Sequence, residues 1–184
     1  DGVLQGFIGL HVDDFIHAGT DFFNREIMPK VLSIFKVGKS EQNSFMYTGF
    51  QLNQERNSIT LDQKAYVEKV KVPVIEAKRL LELDSDMTED ELTMLRQMVG
   101  SLNWTVRSTR PDLAFELINL STKFKGGKVA DLKAAKKTLL KLKDEAFVKL
   151  PSIKVETAEI FLFTDASHGN LNEAKDSTGA YIIF

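Results

Sequence analysis

The sequence predicts an α+β protein: antiparallel hairpins first, a helical bundle next, and one more hairpin at the end. Three observations predict it. Apolar residues alternate or run in short strand-like stretches over residues 4–18 and 44–61, as half-buried strands require. From Thr88 to Leu150 they recur at three- and four-residue spacing, the stripe that buries one helix face. After Pro151 the strand pattern returns in Glu159–Asp165 and Gly179–Phe184. A chain of 184 residues that is 43% hydrophobic can bury one good core or two small ones.

Each element has a local reason. Leu4 to Val12 and Phe15 to Ala18 read as strands, which leaves Asp13-Asp14 as a tight two-residue turn. Thr20 and Asp21 can cap a helix with Phe23, Ile27, Val31, Ile34 and Phe35 on one face, and Pro29 predicts a kink or early break in it. Ser44–Gln54 and Ile59–Leu61, separated by the polar turn Glu55–Ser58, form a second hairpin. A short helix covers Gln63–Val70, and Pro73 marks a boundary. Thr88-Glu89-Asp90-Glu91 is a capping box ahead of the stripe Leu92, Leu95, Met98, Val99, Leu102 and Val106. Pro111 opens the next helix, with Leu113, Leu117, Leu120 and Phe124 inward, and Gly126-Gly127 ends it. A third helix is expected from Asp131 to Leu150. Trp104 and Phe115 are expected in the core. Beyond Pro151, Ser167–Asn170 read as a polar loop and Lys175–Thr178 as a turn.

Composition narrows the partners. The formal net charge is -2, which excludes a wholly basic nucleic-acid binder, yet residues 123–149 hold nine lysines against three acids. Such a segment can meet phosphates. With no cysteine there is no disulfide or thiolate metal site. No signal peptide occurs, and no apolar stretch is long enough to span a membrane. The chain opens on Asp1 and closes on the strand-like Tyr181–Phe184, so both ends are expected to continue in a longer polypeptide.

His11-Val12-Asp13-Asp14 holds the sharpest chemistry. Adjacent carboxylates repel, and a divalent cation relieves the repulsion. Such clustered hard oxygens serve phosphoryl and nucleotidyl transfer, in which two metal ions stabilise the attacking and leaving oxygens. Asp is also an ordinary turn residue. His11, His17 and His168 lack metal-ligand spacing. In order along the chain come the Asp-Asp turn, Phe45-Met46-Tyr47-Thr48-Gly49-Phe50, Ile59-Thr60-Leu61-Asp62-Gln63-Lys64-Ala65-Tyr66, Val99-Gly100-Ser101-Leu102-Asn103-Trp104, Ser108-Thr109-Arg110-Pro111-Asp112-Leu113-Ala114-Phe115 and Thr164-Asp165-Ala166-Ser167. Taken together, they resemble the polymerase segment of copia-type (Pseudoviridae) retrotransposon polyproteins, from the reverse transcriptase palm into RNase H. His11 stands where that family usually has an aromatic residue.

The resemblance implies three parts: residues 1–72 as the C-terminal half of the palm with its primer-grip hairpin, 73–156 as a helical thumb or connection, and 157–184 as the start of RNase H. It implies RNA-directed DNA polymerisation with Mg²⁺, or Mn²⁺, as cofactor. Asp13 would be the principal metal ligand, Asp14 an auxiliary one, and Asp165 the first acid of RNase H. Tyr47, Thr48, Gly49 and Phe50 would hold the primer end, and Lys133, Lys137 and Lys141 would follow the nucleic-acid backbone without reading sequence. An RNA template, a DNA primer or RNA–DNA hybrid, a deoxynucleotide and the rest of the polyprotein would be the partners, with no membrane. The location would be a cytoplasmic retrotransposon particle, or the nucleus. Since the other palm aspartate should precede Asp1 and further RNase H acids should follow Phe184, the isolated chain is expected to be inactive. Two rival readings remain: a decayed or host-adopted remnant that binds nucleic acid or protein, and an unrelated nuclease centred on Asp165.

Overall fold

The computed structural model describes residues 2–35, 37–154, 158–159, 161–171 and 175–183, giving backbone alone for 161–171 and 175–183. The architecture is α+β, with antiparallel sheets and five α-helices among the described residues. None of those helices is long and apolar enough to cross a membrane.

Strands β1 (Gly6–His11) and β2 (Asp14–Gly19) pair from Gly6 opposite Gly19 to His11 opposite Asp14. The turn is therefore Val12-Asp13, one residue earlier than expected, and Asp14 opens β2. The reason lies at the other end of the ribbon. A Cβ on Gly6 or Gly19 would come within 2.5 Å of the Phe23 ring, so the two glycines must face each other beneath that ring. A one-residue slip would break up this pair and move the alternating residues to the opposite face. Phe23–Ile27 forms a π-turn, followed by α1 (Met28–Ile34) with Pro29 in its first turn. The expected break thus falls just ahead of Pro29, where a missing N–H has no helical partner to lose.

Strands β3 (Ser44–Tyr47), β4 (Phe50–Glu55) and β5 (Ser58–Asp62) form a meander. A fourth strand, β6 (Phe147–Pro151), joins it beside β5. Phe45, Leu52, Leu61 and Val148 stand in one cross-strand row, and Ser44, Asn53, Thr60 and Lys149 in the alternate row. This corrects the expected third helix, since α5 covers Val129–Asp144 and stops well short of Leu150.

The core lies among the helices. After α2 (Lys64–Lys69) comes a single 3₁₀ turn at Arg79–Leu81, then α3 (Glu89–Val106) and α4 (Ala114–Ser121). Both hydrogen bonds of the capping box between Thr88 and Glu91 are present at the start of α3. Leu95, Leu102, Leu132, Leu139 and Leu142 are fully buried, and truncating one of them to Ala costs about 3–5 kcal/mol. Two stripe residues, Val99 and Leu120, also join this cluster, so the three-helix bundle is as the periodicity predicts. Strands β7 (Phe161–Leu171) and β8 (Lys175–Ile183) form a separate hairpin. Ser167–Asn170 and Lys175–Thr178 lie within the strands there, not in a loop and a turn: Ser167 pairs with Ser177 and, past a register shift, Leu171 pairs with Lys175.

Candidate functional site

The β1–β2 ribbon is fixed at its base. The Thr20 hydroxyl donates to Gln5 Oε1 at 2.8 Å and accepts from the Phe23 amide at 3.3 Å, while Asn24 Nδ2 donates to the Gly19 carbonyl at 3.0 Å. At the free end Val12 is 85% exposed with φ +54°, a conformation that β-branched residues rarely adopt. Its positive φ ahead of Asp13, which lies in the ordinary negative range, has the sign pattern of a type II′ hairpin turn. Asp13 and Asp14 follow, both exposed. Their carboxylates suit a hard divalent cation. They would supply only part of its shell, since no group of three or more His, Asp or Glu among the described residues is placed to hold a metal.

The second hairpin turns on Thr48 (φ +48°) and Gly49 (φ +88°), both in the left-handed region that a type I′ turn requires. This turn sets Phe50 against Trp104 of α3, with ring centroids 5.4 Å apart and planes inclined by 42°. Trp104 is 43% exposed and Phe115 60%, so neither is the core residue expected. The outer face of α3 holds Arg96, Gly100, Asn103 and Trp104, and Arg107 follows at its C-terminal end, all exposed. A Cβ on Gly100 would meet nothing within 4 Å. A glycine in an exposed helix interior costs about 1 kcal/mol relative to Ala, and no neighbour among the described residues requires it here. Sequence reasoning missed this face. The available signal was a glycine at the centre of the polar side of a periodic helix.

The remaining candidates are spread out. Lys133 and Lys137 are exposed on α5, whereas Lys141 pairs with Glu116 at 3.3 Å. Asp165 lies on β7 opposite Gly179; its side chain falls outside the described residues.

Several motif residues prove to be joints. Thr109 donates to the buried Gln63 at 2.7 Å, and the Tyr66 hydroxyl donates to the Ser101 carbonyl at 3.0 Å. Arg110 grips Asp112 through two bonds of 2.9 and 2.8 Å and donates to the Lys141 and Glu145 carbonyls at 2.8 and 2.6 Å. The cation thereby satisfies orphan carbonyls at the end of α5 and meets the negative end of its dipole. Hydrogen bonding between the two holds the Asp112 carboxyl below its usual range.

No family model matches the chain, and no solved structure does. A Saccharomyces cerevisiae protein named for the transposon Ty5-1 is 24% identical over 193 aligned positions, which include 96% of this chain and 61% of that protein. The chain thus spans about three-fifths of that relative's length.

Proposed function

We propose that this chain is a retrotransposon-derived segment that supplies part of an RNA-directed DNA polymerase. The observation that carries the reading is its likeness, over nearly its whole length, to a transposon protein. The ordered motifs and the paired carboxylates at a hairpin tip support it. In the intact parent, Asp13 and Asp14 would ligate Mg²⁺ or Mn²⁺, which would offset charge as a primer hydroxyl attacks a deoxynucleotide. This chain's own task is to hold both acids on a hairpin braced by Phe23, Thr20 and Asn24, so that positioning costs little at the moment of reaction.

The second element of the reading is a nucleic-acid face. Tyr47–Phe50, Trp104, Gly100, Arg96 and Arg107 would track a primer–template duplex: the arginines meet phosphates, Trp104 offers an apolar plane, and Gly100 admits close backbone approach. Lys133 and Lys137 would extend the positive surface. Trp104 is the only tryptophan, so its fluorescence reports binding directly. Titration with a short RNA–DNA hybrid is expected to quench it saturably, with affinity falling steeply as salt rises. Arg96→Ala should weaken binding about tenfold, in line with the ~1.4 kcal/mol of a charge-assisted contact. Unchanged fluorescence at low salt would remove this face from the proposal. The chain alone is expected neither to extend a primer nor to cleave RNA.

A further inference from the structure

The joint between the sheet and the helices contains two buried polar groups without a hydrogen-bond partner among the described residues. Gln63, between β5 and α2, is 1% exposed, and Thr105 of α3 is fully buried. Most of Gln63 is satisfied: its amide N–H donates to the Ala146 carbonyl at 2.8 Å, its carbonyl accepts from the Tyr66 and Val67 amides at 2.9 and 3.0 Å, and its Oε1 accepts from Thr109. Gln63 Nε2 and the Thr105 hydroxyl are not.

Helix geometry brings these two groups to one place. Tyr66 of α2 bonds to Ser101 of α3, and Gln63, just ahead of α2, bonds to Thr109, whose own amide donates to the Thr105 carbonyl at 2.8 Å just past the end of α3. Thr105 stands midway, one turn from each contact. Tyr66 also occupies the Ser101 carbonyl, to which a helical threonine at 105 would otherwise bond back.

We propose that a single buried water completes this joint, accepting from Gln63 Nε2 and the Thr105 hydroxyl and donating to the Tyr66 phenol oxygen. Three partners are typical for a buried water, and Gln63 Nε2 and the Thr105 hydroxyl would otherwise lose their hydration with nothing in return. The bridge ties β5 and α2 to α3, and so helps to seat Phe50 on Trp104. It does not depend on the polymerase reading.

Thr105→Val tests it in the full chain, because the substitution removes the hydroxyl while nearly keeping the shape. With the bridge present, the variant melts about 2–4 °C lower. The unaltered chain then shows a water-selective NOE to the Gln63 side-chain amide, and Thr105→Val loses it. A variant melting at the same or higher temperature means that an unsatisfied hydroxyl was removed without loss, which overturns the proposal. Absence of the NOE in the unaltered chain overturns it as well, whether or not the variant folds.

Discussion

Two residues occupy positions that internal packing does not explain. Gly100 weakens α3 where no neighbour among the described residues requires a glycine, and Val12 holds a positive φ at the exposed tip of its hairpin. Gly100→Ala should therefore stabilise the fold by about 1 kcal/mol while weakening hybrid binding, if a ligand approaches the helix there. Thermal melting and Trp104 fluorescence measured on one sample give the two signs. A gain in both would assign Gly100 no part in binding. Val12→Gly relieves left-handed strain of roughly 1–2 kcal/mol and loses part of that to chain entropy. Slower hydrogen exchange across β1 and β2 is the expected outcome.

At the scale of elements, polar anchors decide where helices begin and end. Arg79 also pairs with Glu82, and it grips Glu91 through Nε and Nη2 at 2.8 and 2.9 Å; this grip, helped by the Thr88 backbone amide, lowers the Glu91 pKa to about 2. Because the folded value lies below the ordinary 4.5, this stabilisation is complete above pH 4.5 and is lost as pH falls from there toward 2. Melting temperature followed over that window should fall less steeply for Glu91→Gln, which starts less stable. Arg110→Ala removes the cap on α5 and leaves the exposed Lys141 and Glu145 carbonyls to water, at a cost of about 1 kcal/mol. Local pattern foretold α3, because its capping box and stripe are contained in one stretch of sequence. It could not foretell the end of α5. Apolar spacing continues through Ala146 and Leu150, and the groups that stop the helix come from Arg110, 31 and 35 residues earlier, and from pairing with β5. The paired acids were legible as a hairpin end, but their register depended on Phe23 lying over two glycines, a tertiary contact.

Across the whole molecule, the packed core and the proposed chemistry lie apart. The buried cluster runs from Val67 to Ala146. Asp13 and Asp14 stand on a two-stranded ribbon braced by its own following helix, with Phe7, Leu10 and Val12 exposed. An isolated two-stranded ribbon is marginal, so exchange across β1–β2 should be far faster than in α3 or α5. The motifs divide in the same way: Gln63, Tyr66, Thr109 and Arg110 join elements inside the bundle, whereas the acids and the α3 face look outward. The central claim is that the β1–β2 tip is part of a divalent-metal site. NMR of the full chain titrated with Mg²⁺, and with Mn²⁺ as a paramagnetic probe, tests it against Asp13→Asn/Asp14→Asn. Saturable shifts and broadening confined to residues 11–17, and abolished in the double variant, are predicted. An unresponsive hairpin, or the same response in the variant, would contradict the claim.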